Sequence, residues 1–304
     1  MSLPNSADPI VEHARGVIER GSLSFALAAR ALDPVTRASG FQLYAWCRHC
    51  DDLIDGQTFG HEMRVPKTAD QRRLLAELKA TTEQALRGEP VSGLVFQGIA
   101  RVVRQHGIPP HHLFEFLAGM EMDVDGRRYR TLDELVPYCY RVAGVVGVMM
   151  GHIMGIKDAA TLERAGDLGT AMQFTNIARD VLDDARAGRV YLPTSWLAEA
   201  GIPEDRVGDP KWRAAVGALV SRLLDCGDEL YRRADTGIEH LAFRPAWSIQ
   251  SARLIYSEIG TVIRRRDTHA WDTRSSVRGS RKLWLVAVAL GRTAFGRVRQ
   301  RIGR

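Results

Sequence analysis

Apolar residues recur along most of the chain at intervals of three and four positions, the spacing that places them on one face of an α-helix. Alternating apolar and polar positions, which would indicate strands, form no convincing series. Gly, Pro and polar residues cluster at six breaks, which are 56–69, 88–93, 107–110, 125–131, 187–194 and 201–210. None of them is long enough to be a clear interdomain linker. The pattern predicts an all-α protein, and we interpret residues 1–304 as a single helical domain.

The longest apolar stretch is 142–156, which is shorter than the roughly 18 uncharged residues of a membrane-spanning helix. The N-terminal residues also lack the basic start and apolar run of a signal peptide. We therefore expect no spanning segment and no leader. Gly147, Gly151 and Gly155 recur every four residues in this stretch and leave one helix face nearly bare. That face leaves room for a backbone or a hydrocarbon chain, or it packs tightly against another helix.

Composition fits a globular protein with a sizeable core, since 45% of the residues are hydrophobic and 26% are charged. The 42 Lys and Arg residues outnumber the 36 Asp and Glu residues, and the excess lies in 264–304, which holds 12 basic and 2 acidic residues. Such a segment indicates an anionic membrane contact, a nucleic-acid contact or a solvated basic face. Nucleic acid is not expected as a partner, because no recognised binding motif or aromatic stacking pattern accompanies the charge.

Four cysteines are present, Cys47, Cys50, Cys139 and Cys226, and their spacing is not that of a small disulfide-bonded fold. A reducing cytoplasm is the expected compartment. Cys47 and Cys50 form a CxxC, but no second CxxC completes a zinc site.

Two pairs of aspartates spaced four residues apart carry the candidate chemistry. Asp51 and Asp55 lie in DDLID, and Asp180 and Asp184 lie in DVLDD. Positions four apart lie on one helix face, so each pair projects together. Like charges at this spacing weaken an isolated helix by roughly a few tenths of a kcal/mol, which a bound cation would offset. One such pair is usually surface charge, whereas two pairs favour a metal site.

Each pair ends a longer polar stripe. Tyr44 and Arg48 precede the first pair on the same helix face, and Gln173 and Asn176 precede the second. Oxygen ligands without interleaved His or Cys favour Mg²⁺, with Mn²⁺ as a substitute, over zinc. A cation held by both stripes would neutralise a diphosphate and help it to leave.

Three segments, YAWCRHCDDLID at 44–55, YCYRVAGVVG at 138–147 and QFTNIARDVLDDARAGRVYLP at 173–193, resemble the squalene and phytoene synthase family in wording, order and separation. The resemblance extends from 22–25 to 274–283. It implies an all-α isoprenoid-synthase fold, with aspartate-rich motifs on opposite walls of a central apolar cavity.

The resemblance also implies roles for individual residues. The expected metal-binding and catalytic positions are Asp51, Asp55, Asp180 and Asp184, with Asn176 as a further metal ligand. Tyr138 matches the tyrosine proposed to assist proton transfer. The positions expected around the diphosphates are Tyr44, Arg48, Gln173, Asn176, Arg179, Tyr256 and Arg274. Arg278 and Arg281 are alternatives to Arg274, because no sharp motif surrounds them.

The chemistry implied by the resemblance joins two allylic diphosphates head to head through a cyclopropane. The residues of these motifs resemble most the branch of the family that converts geranylgeranyl diphosphate to phytoene in carotenoid biosynthesis, without NADPH. The alternatives are dehydrosqualene or squalene synthesis from farnesyl diphosphate, and a noncatalytic assembly factor. Chain length, product double-bond geometry and oligomeric state are left open.

A location on the membrane surface follows from the apolar substrate and product together with the absence of a spanning segment. The expected contact is the basic segment from Arg264 onward, with Leu283, Trp284, Leu285 and Val286 inserted shallowly into lipid. The alternative is that these four residues pack into the core as part of a final helix.

Overall fold

Residues 8–56 and 68–302 are described by a computed structural model, with side chains as far as residue 298. The described residues form α-helices and contain no β-strand, which confirms the predicted all-α class. In chain order the helices are α1 (Pro9–Gly21), α2 (Leu23–Ala29), α3 (Pro34–Asp55), α4 (Thr68–Arg87), α5 (Leu94–His106), α6 (His111–Val124), α7 (Leu132–Cys139), α8 (Val145–Ile153), α9 (Ala159–Arg186), α10 (Thr194–Glu199), α11 (Arg213–Ile238), α12 (Phe243–Arg266) and α13 (Gly279–Ile302).

Five of the predicted breaks, from 88–93 to 201–210, each fall between two helices and are confirmed. The sixth, 56–69, follows α3, but residues 57–67 lie outside the described residues. The sequence did not indicate the further helix ends at 154–158, 239–242 and 267–278.

Capping residues fix where the two helices with polar stripes begin. The Asp33 carboxylate accepts hydrogen bonds from the backbone N–H groups of Val35 and Thr36, both over 3.0 Å, at the start of α3. Asp158 accepts one from the backbone N–H of Thr161 over 2.8 Å at the start of α9. A cap of this kind satisfies backbone donors that the first helical turn leaves free. The caps therefore help to fix the starting points of the helices that carry both aspartate pairs.

Two main apolar clusters form the core. The larger one surrounds α9, which packs against α8, α11 and α12 and buries Phe174 and Leu182. The second surrounds α3, which packs against α1 and α5 and buries Trp46. The two stripe helices thus belong to different parts of the core.

The apolar stretch 142–156 is not one regular helix. A π-helical turn, Tyr140–Gly144, leads into α8, and Gly155 lies beyond that helix with φ 81°. Gly155 is therefore not part of a continuous glycine face. A Cβ on Gly147 would lie 2.2 Å from the carbonyl oxygen of Ala165 in α9. Tight helix packing is thus the interpretation that holds at Gly147.

The C-terminal apolar run is divided between core and surface by α13. Leu285 is 4% exposed, and the carbonyl of the half-buried Val286 accepts a hydrogen bond from Trp247 Nε1 over 3.0 Å. Leu283 and Trp284 are 61% and 52% exposed. The expectation that all four residues face a membrane is wrong for Leu285, because helical periodicity turns it toward α12.

Within residues 8–56 and 68–302, none of the helices combines the length and the apolar character needed to cross a bilayer. Part of the C-terminal positive charge is also paired inside the protein. Arg264 Nη2 lies 2.7 Å from Asp225 Oδ1 and 2.9 Å from Asp228 Oδ2. Part of the basic excess is therefore neutralised within the protein.

Candidate active site

A polar and an apolar cavity adjoin each other in the interior. They share a wall formed by Arg48, Asp51, Val142, Gln173 and Asn176, which come from α3, the π-helical turn and α9. The shared wall allows one bound molecule to place a charged group in the polar cavity and a hydrocarbon chain in the apolar one.

The apolar cavity follows both stripe helices. Its lining runs along α9 from Asn176 to Thr161 and along α3 from Asp51 to Arg37. Each stretch is about 20 Å long at a rise of 1.5 Å per residue. Side chains along this length are mainly aliphatic or aromatic, and the carboxylates lie at one end. The cavity thus has the shape and polarity of a site for a long hydrocarbon with a charged head.

The structure brings the predicted site residues together. Those that line the polar cavity are Arg48, Asp51, Asp55, Tyr138, Gln173, Asn176, Arg179, Asp180, Asp184 and Arg274. Tyr44 and Tyr256 line the apolar cavity, where Phe25 stacks on Tyr256 with ring centroids 5.0 Å apart. Their chemical roles remain predictions.

In the first aspartate pair, the surroundings of Asp51 disfavour the ionised form of its carboxyl. Burial raises the pKa of Asp51 to about 7, against the opposing charge of Arg48, whose Nη1 lies 3.8 Å from Asp51 Oδ2. The neighbouring carboxylates of Asp55 and Asp52 raise it further. Although 37% of the Asp51 side chain is accessible, that surface lines the cavities. A cation near Asp51 would therefore stabilise the ionised form of this carboxyl.

The two members of the second pair have opposite shifts. Burial would raise the pKa of Asp180, but Arg179, which donates hydrogen bonds over 2.9 and 2.5 Å, outweighs it, and the pKa lies below the usual value. Arg274 adds to this effect with its Nε 3.3 Å from Asp180 Oδ1. Burial, followed by the charge of Asp180, raises the pKa of Asp184 well above its usual value. Arg179 and Arg274 thus favour the ionised form of Asp180, whereas burial and the charge of Asp180 disfavour the ionised form of Asp184, which a further cation would stabilise.

The donor set fits Mg²⁺. Asn176 Nδ2 donates to Gln173 Oε1 over 3.2 Å, and Asn176 Oδ1 is buried at the cavity wall without a hydrogen-bond partner. Within the described residues, no three His, Cys, Asp or Glu side chains are grouped closely enough to hold a metal ion by themselves. Mg²⁺ usually binds one or two carboxylates and completes its shell with water and substrate phosphates. Two carboxylate pairs and the amide oxygen of Asn176 are ligands of the kind that such a coordination shell requires.

Of the three C-terminal arginines considered, Arg274 is the one that lines the polar cavity. Arg281 instead forms an ion pair with Glu258 over 2.9 Å and lies 4.1 Å above the ring of Trp284. Arg278 is exposed at the surface.

Four polar residues that line this cavity, Asp123, Asp183, Arg189 and Tyr191, were not predicted as site residues. Tyr138 and Tyr191 both donate hydrogen bonds to Asp123, and Arg189 donates one to Asp55. Arg189 and Tyr191 lie within 173–193, a segment that resembles the squalene and phytoene synthase family, so the resemblance could have indicated them. Asp123 has no local signal, because its partners are distant in sequence.

Sequence comparison identifies relatives that match most of this chain. The sequence model described as Squalene/phytoene synthase matches residues 18–287. The chain is 44% identical to the 15-cis-phytoene synthase of Enterobacter agglomerans over 284 residues, covering 92% of this chain and 95% of that protein. It is 42% identical to the 15-cis-phytoene synthase of Pantoea ananas over 290 residues, covering 95% and 94%.

Solved structures show the same fold. A crystal structure of a dehydrosqualene synthase in complex with ligand superposes with a TM-score of 0.82 at 26% identity, covering 92% of this chain and 95% of that one. The squalene synthase HpnC from Alicyclobacillus acidocaldarius gives a TM-score of 0.73 at 21% identity, covering 85% and 94%, which indicates a shared fold.

Proposed function

The chain belongs to the squalene/phytoene synthase family, and we propose that it condenses two geranylgeranyl diphosphates head to head into phytoene through a prephytoene diphosphate intermediate. The identity of 44% to a 15-cis-phytoene synthase, over nearly the whole of both chains, is the observation that carries this proposal. It places the enzyme among the prenyltransferases of carotenoid biosynthesis. The expected reaction consumes no NADPH.

The two cavities suit the two parts of such a substrate. The guanidinium groups of Arg48, Arg179 and Arg274 border the polar cavity and supply the charge that diphosphate oxygens require. The apolar cavity, about 20 Å long along α3 and α9, suits a long prenyl chain. Its aliphatic walls would exclude water from carbocations. Chain length is the property that distinguishes this substrate from farnesyl diphosphate.

The residues that would hold Mg²⁺ are Asp51, Asp55, Asn176, Asp180 and Asp184. Bound there, the cation would neutralise the diphosphate charge and assist its departure. Arg179 and Arg274 keep Asp180 ionised, so this carboxylate is ready to bind a cation. The raised pKa values of Asp51 and Asp184 favour their protonated forms, and a bound cation would favour their ionised forms instead.

The direct test is to incubate purified protein and Mg²⁺ with geranylgeranyl or farnesyl diphosphate, each with and without NADPH, and to identify the products. We expect phytoene from geranylgeranyl diphosphate in both conditions. Equal or better use of farnesyl diphosphate would indicate dehydrosqualene synthesis, and a strict NADPH requirement would indicate squalene synthesis. No product from either substrate would support a noncatalytic role.

Variants test the metal residues in the same assay. Asp180→Asn keeps the size of the side chain but removes its charge, and we expect turnover to fall about 100-fold or more. Asp205→Asn is the matched control, because the Asp205 side chain is 80% exposed on a surface turn outside both cavities. Equal turnover of the two variants would reject Asp180 as a metal ligand.

We also propose that the protein docks on a membrane surface through α13. The outward face of that helix carries the large apolar side chains Leu283, Trp284, Leu290, Phe295 and Val298, which are 37% to 71% exposed. Two basic side chains of the same helix are also exposed, Arg281, which lies 4.1 Å above the ring of Trp284, and Arg292. An apolar face with basic neighbours is suited to the boundary between lipid headgroups and acyl chains.

A further inference from the structure

Asp123 lies at the end of α6 and is hydrogen-bonded to two tyrosines from other parts of the chain. Its Oδ2 accepts a hydrogen bond from Tyr138 Oη over 2.9 Å, and its Oδ1 accepts one from Tyr191 Oη over 2.8 Å. The two rings stack with centroids 5.1 Å apart and planes 15° apart. Both tyrosines are buried. One carboxylate thus holds two phenols at the edge of the polar cavity.

The direction of these hydrogen bonds determines what Tyr138 offers to a substrate. An ionised carboxylate only accepts hydrogen bonds, so both phenolic protons point toward Asp123. Tyr191 occupies Oδ1, and Oδ2 is left for Tyr138. Because its own proton is held by Asp123, Tyr138 Oη presents lone pairs to the cavity.

Tyr138 is poorly suited to ionise alone. Burial raises its pKa well above the usual value, and the charge of Asp123 raises it further. Burial also raises the pKa of Asp123, to about 6, against the opposing charge of Arg189. A phenol of this kind can accept a proton if it passes its own proton to a partner. A partner that titrates near neutrality can later return the proton.

We propose that Asp123 is a positioning residue that orients Tyr138 as a proton acceptor and takes over its phenolic proton. This inference rests on the proposed function. A carbon-bound proton of the carbocation passes to Tyr138 Oη while the O–H proton of Tyr138 passes to Asp123 Oδ2. The electron pair of the broken C–H bond forms the new carbon–carbon bond of the ring or double bond. Tyr138 is then a neutral phenol again, and Asp123 is a neutral acid that returns its proton through Tyr138 to diphosphate or water.

A double-mutant cycle in the phytoene assay tests this coupling. Asp123→Asn keeps the shape but cannot take up a proton, and we expect kcat to fall about 100-fold or more, with KM within about threefold. Tyr138→Phe should show a similar loss. In the Tyr138→Phe background, Asp123→Asn should change kcat by less than about threefold, because both substitutions break the same route. Tyr191→Phe, which leaves the bond between Tyr138 and Asp123 intact, should cost less than either.

The outcomes separate this inference from the proposed function. If the unaltered protein makes phytoene and the two losses multiply, Asp123 acts independently of Tyr138 and the inference is wrong. Near-normal kcat in Asp123→Asn would also overturn it. If the unaltered protein makes no phytoene, the proposed function fails and the inference fails with it. Thermal unfolding verifies each variant, and if Asp123→Asn does not fold, Asp123→Ser takes its place in the cycle, because a hydroxyl can accept the hydrogen bond of Tyr138 but cannot take up its proton.

Discussion

Arg189 donates a hydrogen bond to the carboxylate of Asp55 and thereby joins the loop after α9 to the end of α3. The two side chains are only 14% and 20% exposed. Burial opposes the charge of Arg189, but Tyr191 and Asp55 raise the pKa of the guanidinium above its usual value. Arg189 thus neutralises part of the negative charge where Asp55 borders the polar cavity.

Replacement of Arg189 by Gln should make the metal-free protein less stable. The substitution leaves Asp55 in a partly buried site near other carboxylates, and breaking a buried pair costs about 3–5 kcal/mol. We expect a loss toward the lower end of that range in thermal unfolding with EDTA, and partial recovery with Mg²⁺. Arg186→Gln is the matched control, since its pair with Asp183 is 61% and 65% exposed and should contribute less than about 1 kcal/mol. Equal losses in the two variants would contradict the assigned role.

The raised pKa of Asp51 predicts a stability that depends on pH in an unusual direction. Its folded pKa of about 7 exceeds its usual value of 3.8, so the folded state binds the proton more tightly than the unfolded state. This contribution to stability is present below about pH 4 and is lost as the pH rises through 7.

Asp51→Asn should therefore raise the melting temperature of the metal-free protein at pH 8, with a gain that shrinks toward pH 4. Calorimetry in EDTA over this range measures the effect. Asp205→Asn serves as the control and should show no such trend, because its side chain is largely exposed. A pH-independent difference between Asp51→Asn and the unaltered protein would show that burial does not shift this carboxyl. Asp51→Asn should also lose activity, because the carboxylate charge that destabilises the folded protein is the charge that would bind the cation.

Local periodicity was enough to predict the stripes on α3 and α9, because the members of each stripe share one helix. The family resemblance added Tyr138, Tyr256 and Arg274, which no spacing rule connects to those stripes. Neither source indicated Asp123. Its bonds to Tyr138 and Tyr191 join α6, α7 and the loop before α10. Such contacts depend on tertiary packing, and no local pattern in a single sequence predicts them.

The π-helical turn was missed for a related reason. It lies where α9 approaches the chain so closely that a Cβ on Gly169 would be 2.3 Å from the carbonyl oxygen of Ala143. Apolar periodicity reports which face is buried but not how near two backbones come. The glycines of 142–156 showed that one face was bare, while the partner, α9, became evident only in the structure.

Gly147→Ala tests that close approach. The added methyl would meet the backbone carbonyl of Ala165, which cannot move aside as a flexible side chain would, so we expect a loss of about 1–3 kcal/mol in denaturant unfolding. Gly291→Ala is the control, because a Cβ at this exposed position of α13 has open space around it. Alanine is a better helix former than glycine, and this variant should gain up to about 1 kcal/mol. Similar stability of both variants would argue against tight packing at Gly147.

Membrane docking through α13 is tested by variants of its exposed apolar side chains. Trp284 and Phe295 are 52% and 71% exposed, so Trp284→Ala and Phe295→Ala should leave the fold intact. If half of each side chain enters lipid, each substitution should cost about 1 kcal/mol, or roughly a fivefold loss of liposome binding. Leu23→Ala is the matched control, because Leu23 is 70% exposed on α2 and should not affect binding.

The dependence of liposome binding on lipid charge and on salt tests the contact between α13 and the membrane independently. Flotation with liposomes should increase with the fraction of anionic lipid, because each basic residue near such a surface contributes about 1 kcal/mol. Binding should fall as salt is added, since the screening length shortens from about 10 Å at 0.1 M to about 3 Å at 1 M. Arg292→Gln should weaken binding to anionic vesicles and leave binding to neutral vesicles unchanged. Binding that ignores lipid charge, salt and the α13 substitutions would mean that the exposed face of α13 does not contact lipid.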